Sequence, residues 1–295
     1  MIVWLITYAV VAFVPAGASA QVPSGEVTRE DLDYPWTLTG SEGGFGDYTV
    51  GDQQSRILSV PISIWIRRLE EGRKLGLRLR LTGVIGFADF ERPRDFDARS
   101  LRFGGIFPGI EFLIPLSPTS MLRPFADLGI GLTDGRIEEF FLSTFGMRTE
   151  FVFPWRRWEL GLEPRLQGGV SRATGTEADD GYVQITSRAD ARYPLGFRVG
   201  GQTPDIGAYI EPGFFLDALG FTTASGQEIR IDQQHEVGVT LGFREQAPKI
   251  WFVRVPRLSV GYRFGYGLTG LRIRIGGDRV TRLPLRGSPV GAVGQ

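Results

Sequence analysis

Apolar residues alternate with polar or small ones in at least ten separate stretches of this chain. In one of them Leu75, Leu77, Leu79 and Leu81 take every second place, with Gly76, Arg78, Arg80 and Thr82 between them. A period of two sends successive side chains to opposite faces of a β-strand. The runs are about 9–14 residues long, which suits a tilted strand crossing a bilayer and exceeds the usual soluble strand of about 5–6. The pattern predicts an all-β protein, an antiparallel up-and-down transmembrane β-barrel.

Strands are expected over 58–66, 75–85, 101–114, 122–132, 145–153, 158–166, 183–193, 206–214, 229–243 and 258–264. In 101–114 the apolar phase slips at Gly104 and Gly105, where a β-bulge is the natural account. Short polar turns at 69–74, 115–121, 154–157 and 245–250 alternate with long connections at 87–100, 133–144, 171–181 and 217–228. Outer-membrane barrels keep short turns in the periplasm and long loops outside. That alternation then requires an ascending strand within 34–48 and a descending one from Leu268 to Ile275, giving twelve. Trp65, Trp155, Trp158 and Trp251 all stand beside expected short turns, as an aromatic girdle at one membrane face would place them.

Alternation alone does not separate a lipid-facing exterior from a soluble core, so the second face decides. It carries Arg78, Arg80, Arg123, Asp127, Arg148, Glu150, Glu159, Glu163, Arg165, Arg188, Asp190, Arg192, Glu211, Arg263, Arg272 and Arg274. Lys74 and Lys249 are the only lysines among 33 basic residues. A solvated exterior would be rich in Lys, whereas arginine's rigid fork suits crowded carboxylate networks. These sixteen residues are read as charged and lumen-lining, and charge pairing is expected to close most of the lumen.

Residues 1–20 read as a cleaved export signal, with an apolar run from Met1 to Val14 and Ala18-Ser19-Ala20 as a small-residue cleavage site. No Lys or Arg precedes the run. Residues 21–33 form a short periplasmic segment, 34–276 the barrel, and 277–295 a polar tail. Cysteine is absent, which removes disulfides and thiolate chemistry. One histidine, His235, leaves no multi-histidine metal site, and no cofactor is expected. A formal net charge of zero gives no argument for nucleic acid.

Other candidates have plainer explanations. His235 is the sole base available to an outer-membrane hydrolase, but Glu236 beside it faces the opposite side of a strand and cannot readily orient the imidazole. The glycine-rich stretches 40–46 and 261–270 lack the strand-to-helix setting of a phosphate loop. The acidic spots at 89–97 and 177–180 are interleaved with Arg or solvated, which does not suit calcium. Pro164 and Pro212 cannot donate to a ladder, so bulges or a strained wall are expected there.

The stretches SVPISIWIRRLEEGRKLGLRLRLTGVIGF (Ser59 to Phe87) and FPGIEFLIPLSPTSMLRPFADLGIG (Phe107 to Gly131) resemble the solitary outer-membrane autotransporter-like β-barrel family. The resemblance implies a translocator-like barrel in the outer membrane of a Gram-negative bacterium, and no catalytic residues. Only residues 21–33 precede the first possible strand, so no passenger is expected. The chain does not end on an aromatic strand residue, which places the expected assembly signal near 262–275. Expected partners are outer-membrane lipid, lipopolysaccharide and the barrel assembly machinery, with the oligomeric state open. The functional expectation is a narrow pore or a structural wall component. The alternatives are a lipid or lipopolysaccharide hydrolase, or a surface-binding protein working through its loops.

Overall fold

The computed structural model describes residues 44–50, 53–69, 75–88, 101–133, 138–173, 179–222, 228–243, 249–250, 253–254 and 257–275. The expected export signal, the segment 21–33, the start of the first expected strand, Trp251 and the tail 277–295 lie outside them. Twelve strands close into one antiparallel barrel: β1 (Gly44–Val50), β2 (Gln53–Arg67), β3 (Gly76–Ala88), β4 (Leu101–Ser117), β5 (Ser120–Thr133), β6 (Glu138–Trp155), β7 (Trp158–Ala173), β8 (Asp179–Pro194), β9 (Pro204–Thr222), β10 (Glu228–Phe243), β13 (Arg257–Gly265) and β14 (Leu268–Ile275). A two-residue ladder of β11 (Lys249–Ile250) with β12 (Val253–Arg254) sits in the connection from β10 to β13. Each barrel strand pairs with its sequence neighbours, and β1 closes the ring on β14.

The alternation predicted the strands because the two faces differ as the sequence says. On β13 burial runs strictly every second residue, with Leu258, Val260, Tyr262 and Phe264 outward. The outward rows elsewhere are equally apolar and bare; Leu128 is 66% exposed and Ile64 62%. No helix among the described residues is long and apolar enough to cross a membrane.

Four expectations change. The first strand, expected to end at 48, runs on to Val50, and only residues 51–52 separate it from β2. The long connections expected at 133–144, 171–181 and 217–228 shrink to 134–137, 174–178 and 223–227. Polar strand ends above the apolar rows still make ladder hydrogen bonds, which alternation of hydropathy does not report. Connection length therefore no longer separates the two ends of the barrel.

The bulge on β4 falls between Leu101 and Phe103, ahead of the glycine pair. Finally, Pro164 and Pro212 interrupt the ladders β6–β7 and β8–β9 without shifting register: Arg148 pairs with Arg165 and Phe151 with Leu162 on one line, and likewise Thr186 with Gly213 and Ala189 with Ile210. A missing N–H removes a bond but inserts no residue.

Inside the barrel, large rings lie flat across glycine on the next strand. A Cβ at Gly129 would stand 1.9 Å from the Phe107 ring, and one at Gly238 2.6 Å from the Tyr209 hydroxyl. Glycine there lets an aromatic side chain cover the wall. We expect Gly129→Val to cost about 1–3 kcal/mol through overpacking. Leu79→Arg on the outward face should cost about 2–4 kcal/mol if that face meets hydrocarbon. Urea titration of the refolded barrel in lipid checks both; equal tolerance of Leu79→Arg and Leu79→Val would contradict the assignment of faces.

Candidate functional site

Inward positions recur every two residues along each strand, and their chemistry changes from one end of the strand to the other. At the end away from β1's first residue, Tyr48, Ile57, Val84, Phe107, Leu142, Tyr182, Phe215, Ile229, Ile231 and Leu268 form one buried apolar cluster, none more than 7% exposed. Nine strands contribute to it. The other three hold Gly129 (β5), Gly169 (β7) and Gly265 (β13) opposite Leu142, Tyr182 and Leu268.

Two residues further along their strands come neutral polar groups, all buried: Ser59 after Ile57, Thr82 before Val84, Thr144 after Leu142 and Gln184 after Tyr182. Gln167, across from Gln184, donates to the Tyr182 hydroxyl at 2.7 Å. Beyond them lies the charged tier.

All sixteen residues read as lumen-lining point to this interior, and each makes an ion pair. Two carboxylates organise them. Glu111 on β4, 0% exposed, accepts Arg78 Nε at 2.8 Å, Arg123 Nη2 at 3.0 Å and Arg148 Nη2 at 2.6 Å. Glu236 on β10, 1% exposed, accepts Arg263 Nη2 at 2.9 Å, Arg272 Nη1 at 3.5 Å, the Tyr209 hydroxyl at 2.6 Å, and Arg274. The strands β4 and β10 are fourth and tenth in a ring of twelve, so the two hubs stand on opposite walls.

Around Glu111 the network continues through Glu150 to Arg123, Glu163 to Arg148 and Arg165, and Asp127 to Arg80 and Thr144. Arg123, Arg148 and Arg165 are direct cross-strand neighbours on β5, β6 and β7. Like charges so placed repel. The row is stable because Glu111, Glu150 and Glu163 interleave with it.

Around Glu236, Arg274 reaches Glu211 at 3.0 Å, and Arg188 lies 3.8 Å from Glu211 and 3.8 Å over the Tyr209 ring. A third group joins Arg192 to Asp190 at 2.8 Å and to Glu159 at 3.4 Å, with Arg257 on Asp205 at 2.7 Å.

Glu111, Glu236, Asp205 and Arg257 are the inward charges that the sequence reading missed. Glu236 follows the register shift between Ile231 and Gln233, whereas Glu111 shares its inward row on β4 with Phe107 and Leu113, so hydropathy does not set that face apart. That shift also turns Ile229 and Ile231 inward, although alternation put them in an outward row. Asp205 and Arg257 sit at strand starts, where no period has yet accumulated. The interior is thus not ionic throughout, as charge pairing alone had suggested.

His235 stands on the outward face, its ring 5.7 Å from Phe214 and 5.6 Å from Phe264, with Tyr262 stacked on Phe264 at 6.1 Å. Glu236 points inward to its arginines, so it does not orient the imidazole. At the other end Trp155 and Trp158 are outward, and Trp158 packs 5.0 Å from Tyr193. Trp65 instead faces the interior beneath Arg78, at 5.4 Å. No metal-holding group of His, Cys, Asp or Glu occurs among the described residues.

Removing a hub leaves several buried guanidiniums without their shared partner. We expect Glu111→Ala to cost about 3–5 kcal/mol, the range for breaking a buried pair from one side. Glu163→Ala, at the more open edge of the network, should cost distinctly less. Urea midpoints of the two variants in one lipid system check the order.

No protein-family model and no curated relative matches this sequence. Solved structures do resemble the fold. The translocator domain of the autotransporter NalP from Neisseria meningitidis aligns with TM-score 0.52 at 10% identity, covering 79% of this chain and 84% of that one. The β domain of the Bordetella autotransporter BrkA gives 0.47 at 12%, covering 79% and 97%. The transport unit of AIDA-I from Escherichia coli gives 0.43 at 12%, covering 79% and 89%. At these identities the likeness is one of fold: this chain is a closed twelve-stranded antiparallel barrel.

Proposed function

We propose that this chain is an outer-membrane barrel of a Gram-negative bacterium that serves as a narrow conduit, exported by its first 20 residues. The observation that carries the reading is the tiered interior. Its charged tier is built of arginine and carboxylate from nearly every strand, a polar lining that a purely structural wall does not need. The outward faces, bare and apolar between rows of aromatic residues, support a lipid setting. Lipid and lipopolysaccharide are then the lateral partners, and the barrel assembly machinery the route of insertion.

An even strand number returns both ends of the barrel to one side. The girdle of Trp155, Trp158 and Tyr193 marks that side, which we assign to the periplasm. The tier of apolar residues then lies toward the cell exterior.

Two measurements test this. In planar bilayers the purified barrel should carry a current far below that of sixteen- to eighteen-stranded porins, whose lumen is an open aqueous channel; a porin-like current would contradict it. On whole cells, tags at Asp95, Gly135 and Ser225 should be cut by added protease, and tags at Glu71, Thr119 and Gln246 should not. The reverse pattern would invert the barrel.

A further inference from the structure

We infer that the apolar tier is a hydrophobic gate, and that it, more than the ionic tier, decides what passes. The inference rests on the conduit reading. Ile57, Phe107, Leu142, Phe215, Ile231 and Leu268 come from six strands spread around the ring and pack into the same buried cluster. Where a neighbouring strand offers no side chain, a glycine lets the ring beside it lie down: Phe107 covers Gly129, and Tyr182 covers Gly169. The collar thus draws on nine of the twelve strands, with rings over the glycines of β5 and β7.

Below it the interior changes character within two residues per strand, first to neutral hydroxyls and amides, then to arginine and carboxylate. Water and ions in the lower tiers find many hydrogen-bond partners; at the collar the Tyr48 and Tyr182 hydroxyls are the polar side-chain groups, and Tyr182 already accepts from Gln167. An ion entering it loses hydration that two hydroxyls do not replace, and a mainly apolar constriction of this kind excludes water while narrow. The closed collar thus holds back hydrated ions and polar solutes, and it favours small uncharged apolar molecules over them.

The bulge at Asp232–Gln233 is what builds this half of the collar, because the register shift it carries rotates Ile229 and Ile231 inward. The same shift leaves Gln234 and Glu236 inward immediately below. One irregularity thus juxtaposes the gate with the hub of the ionic tier.

The test is single-channel recording of the full barrel in planar bilayers, with folding confirmed by the heat-dependent shift in gel mobility. Ile231→Asn and Leu142→Asn should each raise ion current at least about tenfold by wetting the collar, while Ile231→Val and Leu142→Ile leave it unchanged. Liposome uptake of a small uncharged aromatic solute should exceed that of an ion of similar size in the native barrel. A steady native current that the asparagine variants do not increase would overturn the gate and leave the conduit standing. Folded native and asparagine barrels that are all electrically silent would overturn both.

Discussion

Within hydrocarbon every backbone N–H and C=O must find its partner inside the chain, and a sheet meets that demand only if it has no edge. Closure of β1 on β14, from Phe45 opposite Ile273 to Val50 opposite Leu268, supplies the last ladder. The rest of the architecture depends on it. Once the ring is closed, the pleat gives each strand one face outside and one inside, and every charged residue of the inner face is confined with the others. Burial and pairing of arginine and carboxylate are consequences of that confinement.

Confinement also explains the choice of groups. A buried charge is costly alone, and a carboxylate satisfied by three or four donors is not. Glu111 and Glu236 reach that state because arginines arrive from strands one and two places away, with forks long enough to span the pleat. Lysine, a point charge on a flexible stem, could not share one carboxylate so regularly. The two hubs on opposite walls tie neighbouring strands together from within, while the ladders do so within the wall.

The apolar collar is a different solution to the same confinement. Where inward positions are apolar, rings and aliphatic chains fill space that would otherwise hold water. Glycines at Gly129 and Gly169 give the rings of Phe107 and Tyr182 room to lie against the wall. The interior is thus stratified along the barrel axis: sealed by packing at one end and lined by ion pairs toward the other.

The period of two was enough to determine the all-β class and ten of the twelve barrel strands, since each depends only on parity within a strand. Parity fails where a residue is inserted. The shift at Asp232–Gln233 hid the inward turn of Ile229 and Ile231. Parity is silent where both faces are apolar, as on β4, whose inward row holds Phe107 and Leu113 beside Glu111. Sequence likewise could not see that polar strand ends continue the ladder, because backbone hydrogen bonds are indifferent to side-chain hydropathy. Only the closed tertiary structure decided which carboxylate gathers which arginines and where the collar lies. Those contacts join strands from β1 to β14 whose separation along the chain carries no local signal, and they exist because closure brings the strands to one small interior.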